Sequence, residues 1–146
     1  MLVIFNISLL IRTNQLAAGQ ETLVQQNQSY QTAFALLTYP NSQVALIDDG
    51  TVYGTLVYDP DGRVAVLNMW GLGELSGEQD YQIWLIEPDE NRFSGGVFNG
   101  SDDVAYVSVV IESPITFDAF AGIGITIEPE GGSPGPTGPR IVGIDL

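Results

Sequence analysis

The residues best equipped for chemistry in this sequence are its carboxylates and two tryptophans. Asp59-x-Asp61-Gly62 has the opening spacing of a calcium loop. Calcium takes about six to eight oxygen ligands, and an EF-hand loop adds a side-chain ligand at its fifth place and a closing glutamate. Here the fifth place is Arg63, and no glutamate closes the loop. Asp59-Pro60-Asp61-Gly62 is better read as a hairpin turn, in which Pro60 presets φ and Gly62 supplies a left-handed position. Asp48-Asp49 and Asp102-Asp103 read likewise as solvated turn residues, with a low-affinity Ca²⁺ site spanning two loops as the alternative. A glycosidase needs two carboxylates at a set separation. With 18 Asp and Glu in 146 residues, chance pairs are inevitable and none stands out. Trp70 and Trp84 could form a platform for stacking sugar rings. Both lie in strongly apolar strands, which favours core packing.

Whole classes of chemistry are missing. The chain has no His and no Cys, which removes the usual zinc ligands, Ser-His triads, Cys nucleophiles and titration near neutrality. There is no nucleophile elbow, P-loop or dinucleotide fingerprint, and Gly122-x-Gly124 sits in a strand pattern without the helix a phosphate site requires. The sequence therefore assigns no catalytic, cofactor-binding or metal-ligating residue. A net charge of −14 disfavours nucleic acid, whose phosphates need a basic patch.

The elements that must position any site fall into two regimes. Arg12 and Glu21 are the only charges before residue 48, so the whole −14 resides in residues 48–146. The opening MLVIFNISLLI is apolar but about half the roughly 20 residues that a membrane-spanning helix needs. Neither the basic start nor the cleavage site of a signal peptide is evident, although Leu16-Ala17-Ala18-Gly19 is weakly suggestive of the latter. We expect residues 1–12 to be the outer part of a truncated membrane helix, with Arg12 at the headgroups; a buried element is the alternative. Residues 13–39 are glutamine-rich, with Leu16, Leu23, Tyr30 and Leu37 spaced by seven. That spacing predicts a helical stalk that pairs with a copy of itself, marginal as a coiled coil because the intervening positions are Gln20, Asn27 and Phe34, two of them polar. Tyr39-Pro40-Asn41 ends it, since proline cannot continue a helix.

From residue 40 the period becomes that of strands. QVALID, TVYGTLVYD, RVAVLNMW, YQIWLIE, FSGGVF, VAYVSVVIE, FAGIGITIEP and RIVGIDL alternate with turns rich in Gly, Asp, Asn and Pro. Strands at regular spacing without helical patterns between them predict an antiparallel β-sandwich of about eight strands over residues 40–146. Helix is expected there only as a short turn near 72–78. Gly132-Ser133-Pro134-Gly135-Pro136-Thr137-Gly138-Pro139 spells collagen locally, but 17 glycines in 146 residues are far from one in three. It reads as a loop between the last two strands, restricted by its prolines.

Three stretches taken together, YQIWLIE (81–87), SGGVF (94–98) and ITIEPEGGSPGPTGP (125–139), resemble the C-terminal domain of the anti-sigma-K factor (RskA) family in order and spacing. YDPDGR and AVLNMWGL fit the family's preceding hairpin. The likeness covers about residues 43–146. It marks Tyr81, Trp84, Gly96, Phe98, Glu128, Pro129, Gly131, Gly132, Ser133, Pro136, Thr137 and Gly138 as motif positions, for structure or for partner contact. The resemblance implies a non-enzymatic, extracytoplasmic sensory or regulatory β-sandwich on a single-pass bacterial membrane protein, working without a cofactor. It further implies membrane contact through the N-terminal segment, and a regulatory protease acting on the stalk or membrane segment. A sigma factor would be engaged only through an N-terminal domain outside these residues, because the family's His-x3-Cys-x2-Cys zinc motif has no His or Cys here. The alternative is a cell-surface module for sugar or Ca²⁺ using Trp70, Trp84 and the Asp-rich turns.

Overall fold

The computed structural model describes residues 19–20, 23–24, 27–100 and 106–146. The expected membrane segment 1–12 and the Asp102-Asp103 turn lie outside them. Among the described residues no helix is long and apolar enough to cross a membrane.

Residues 27–38 are helical, as is the backbone at 19–20 and 23–24. The helix ends where Pro40 removes the next backbone donor. The Tyr39 N–H bonds the Leu36 carbonyl at 3.0 Å, and the Ser42 hydroxyl donates to that same carbonyl.

The remainder is an antiparallel β-sandwich. Strands β1 (Gln43–Asp48), β2 (Tyr53–Tyr58), β3 (Val64–Trp70), β4 (Gln79–Ile86), β5 (Arg92–Phe98), β6 (Tyr106–Glu112), β7 (Gly122–Pro129) and β8 (Arg140–Asp145) form two four-stranded sheets. Their orders are β1-β2-β3-β6 and β5-β4-β7-β8. Alternation along each strand sends one set of side chains inward. Leu56, Ala65, Leu67, Met69 and Ile111 from the first sheet meet Ile83, Leu85, Ile123 and Ile125 from the second, and all nine are sealed from solvent. Replacing one of the large members with alanine costs about 2–5 kcal/mol.

Among the described residues of the sandwich, the one short helical element is a 3-10 turn, Phe117–Ala119, and not the expected turn near 72–78, which is irregular. Phe117 explains the position: its ring enters the core between Tyr58 at 5.8 Å and Phe120 at 5.9 Å. The same turn ties the sheets together at one pole. Phe117 and Asp118 donate to the carbonyls of Gly62 and Pro60 in the β2–β3 turn, while Ala121 donates to Ile86 at the end of β4.

Candidate functional site

On the outer face of the second sheet, period 2 aligns Asp80, Gln82 and Trp84 of β4 with Glu128, Thr126 and Gly124 of β7, since Asp80 pairs with Glu128, Gln82 with Thr126 and Trp84 with Gly124. The 130–139 loop folds back over this row. Glu128 is its anchor. The side chain is only 1% exposed, and its carboxylate accepts from three hydroxyls and two backbone amides. The hydroxyls are those of Thr126 at 2.5 Å, Ser133 at 2.7 Å and Thr137. The Thr137 N–H reaches both oxygens at 3.0 Å, and the Gly138 N–H reaches Oε1 at 3.3 Å.

Burial is the largest single influence on this carboxyl and would raise its pKa. The hydrogen bonds from Thr126, Thr137 and Ser133 together outweigh burial and bring it from 4.5 down to about 2. Only a single loop overlies the group, so it is hidden from water without being deep in protein. A carboxylate so acidic and so fully supplied with donors is a poor proton acceptor. Its chemistry is that of a clamp.

The clamp extends in both directions. The Trp84 Nε1–H donates to Thr126 Oγ1 at 2.8 Å, and that hydroxyl passes its own proton toward Glu128, which fixes the direction of the chain. The Gln82 amide bridges strand and loop: Nε2 donates to Ser94 Oγ at 2.9 Å and to the Ser133 carbonyl at 3.1 Å, while Oε1 accepts from the Ser133 N–H at 2.8 Å. Asp80 accepts from the Gly131 N–H at 2.9 Å. The glycines let the loop lie this close. Gly131 and Gly132 have φ of 81° and 85°, and a Cβ on Gly138 would stand 1.6 Å from the Ile127 carbonyl oxygen.

The expected motif residues thus do not all share one site. Trp84, Glu128, Gly131, Gly132, Ser133, Thr137 and Gly138 belong to this outer network, and Pro129 begins its turn by accepting from the Gly132 N–H at 2.8 Å. Tyr81 and Phe98 lie on the opposite face of β4 and β5, their rings stacked at 5.4 Å. Gly96 sits beside the irregularity in the β4–β5 pairing with φ of 127°. Pro136 is exposed on the loop. Sequence reasoning missed Gln82, Thr126 and Asp80 as site residues. Their signal was the two-residue spacing from Trp84 and Glu128 on strands expected to share a sheet.

The two tryptophans part company. Trp84 is 2% exposed, whereas Trp70 is 44% exposed. Core packing therefore fails as an account of Trp70, which ends β3 on the outer face of the first sheet and leans on Tyr106 at 5.0 Å. Nor do Asp59 and Asp61 face a shared vacancy: the Asn41 Nδ2 donates to both, at 2.9 and 3.0 Å, and so fastens the end of the helix to the β2–β3 turn. Among the described residues no three His, Cys, Asp or Glu side chains are grouped as a metal site would need.

The family model described as anti-sigma-K factor rskA, C-terminal, matches residues 1–140. A Streptomyces griseus protein described as an uncharacterized protein in phr 5'region is 30% identical over 126 residues, which is 85% of this chain and 51% of that protein. The chain thus spans about half the length of this curated relative. No solved structure matches the chain.

Proposed function

We propose that this chain, which belongs to the family of anti-sigma-K factor RskA C-terminal domains, is the extracytoplasmic regulatory part of a membrane-anchored anti-sigma factor. Residues 1–12 form the outer part of the membrane helix, residues 13–39 the stalk, and residues 40–146 a non-enzymatic domain that governs protease access to both. The sigma factor is engaged by a domain outside this chain. The observation that carries the reading is the extent of the family match, which takes in the apolar start and the helix as well as the sandwich. The charge division supports it. A neutral segment precedes a domain that holds the whole net charge of −14, as suits a solvated body on a membrane-proximal stem.

Limited proteolysis of the full chain tests the gatekeeping role. Cleavage should begin within residues 13–39 and leave a resistant fragment starting near residue 40, identified by mass spectrometry. Equally early cleavage at several positions within 43–146 would overturn the proposal, because a domain that is itself readily cut cannot control access to its stem.

A further inference from the structure

The helix before the sandwich leaves its apolar side in water. Leu23, Tyr30, Phe34 and Leu37 are 66%, 57%, 70% and 59% exposed. At about 100° per residue these four fall within a stripe roughly 60° wide. A helix laid on its own domain buries its apolar stripe. Here the half-buried positions are instead Ser29, Thr32, Ala33 and Leu36, which centre more than a quarter-turn away.

We propose that this stripe is the seam of a parallel two-stranded coiled coil formed with a second copy of the chain. Two observations select that occupant. The first is the heptad. Leu23, Tyr30 and Leu37 occupy successive d positions, so Gln20, Asn27 and Phe34 occupy a. Asn27 pairs best with its equivalent in a parallel dimer, fixing register and strand number, and with Gln20 also polar it does so at a marked expense of stability. The second is charge. The sandwich carries seventeen acids against three arginines, while residues 13–39 carry only Glu21. Two copies repel wherever the sandwiches approach, so the uncharged helix is the surface at which they can meet. A parallel pair brings both sandwiches to one end, and it is Asn27 that selects the parallel register against that repulsion. A cationic partner would be drawn to the sandwich instead.

This inference needs only the helix and stands apart from the sigma-factor reading. The seam spans about two and a half heptads, so pairing is weak in dilute solution and strengthens when two chains share one surface. Because the chain has no cysteine, single cysteines report the geometry directly. In the full chain, Tyr30→Cys and Leu37→Cys should form disulfide dimers at least about tenfold faster than Gln28→Cys, which is equally solvent-accessible but points away from the seam, since cross-linking requires Cβ atoms within about 4.5 Å. Sedimentation should show a concentration-dependent dimer that is lost in the Phe34→Glu, Leu37→Glu double variant, with the melting of the sandwich unchanged. Equal rates at positions 28, 30 and 37 would overturn the proposal, as would a monomer at every concentration. Cross-links between Leu23→Cys and Leu37→Cys chains in preference to like pairs would overturn the parallel register.

Discussion

Replacing Glu128 with glutamine keeps the shape of the side chain and removes its charge. The folded state favours the ionised carboxylate because its pKa falls from 4.5 to about 2. At about 1.4 kcal/mol for each tenfold change, that preference is worth at most roughly 3 kcal/mol. Solvent close beyond the single covering loop screens it, so roughly half to all of that value is expected. The glutamine amide adds a penalty, since its N–H groups would face the Thr137 and Gly138 amides, which are themselves donors. Denaturation at pH 7 should therefore show Glu128→Gln destabilised by about 2–3 kcal/mol, a fall in Tm of roughly 6–12 °C for a domain of this size.

The pH dependence has a definite sign. A group whose pKa is lowered on folding contributes fully above its unfolded value of 4.5, and the contribution fades as pH falls toward about 2. The gap between wild type and Glu128→Gln should therefore be constant from pH 7 to about 5 and should shrink by pH 2 to the part caused by the misplaced amide donors. The comparison between the two proteins cancels the other carboxylates. A gap below about 0.5 kcal/mol at pH 7, or one that persists unchanged to pH 2, would refute the view of Glu128 as an ionised clamp.

Two further substitutions test the same loop and the tryptophans. Gly138→Ala should cost about 2–4 kcal/mol, because its Cβ would meet the Ile127 carbonyl, whereas Gly135→Ala, with open space around it, should stay within about 0.5 kcal/mol; thermal melts separate them. Trp70→Phe should leave a protein whose fluorescence is blue-shifted and resists acrylamide quenching, since only the 2%-exposed Trp84 remains. Trp84→Phe should leave an accessible, red-shifted emitter and lower stability by about 1–3 kcal/mol through the lost bond to Thr126 and the unfilled volume.

Much of this fold is written in local periodicity. The strand that contains Val66, Leu67 and Met69, the Asp59-Pro60-Asp61-Gly62 turn and the break at Pro40 all follow from two-residue alternation and backbone restriction, which act over a few residues. Trp70 shows where that reasoning stops. It ends an apolar strand, but which face it takes depends on the register with Tyr53 and Tyr106, set by strands far from it in the chain. The 3-10 turn was misplaced for a similar reason: Phe117 is drawn into the core by a space between Tyr58 and Phe120 that no local pattern describes.

The sequence by itself determined the antiparallel sandwich, the neutral N-terminal segment with its seven-residue spacing and the acidic body, for which composition and short-range spacing are sufficient. The Glu128 to Gly138 stretch was marked by its resemblance to the family motif. Only the tertiary structure decided what that stretch is for. Pairing Gln82 with Thr126 and Asp80 with Glu128 brings residues some 45 positions apart within hydrogen-bond reach, and the loop then closes over them. A carboxylate becomes a buried clamp, and not one more surface acid, through the number of donors that converge on it. Those donors, on Thr126, Ser133, Thr137 and Gly138, all lie on β7 or the loop after it. They converge once the glycines let the chain turn back and Asp80 and Gln82 of β4 hold the loop down.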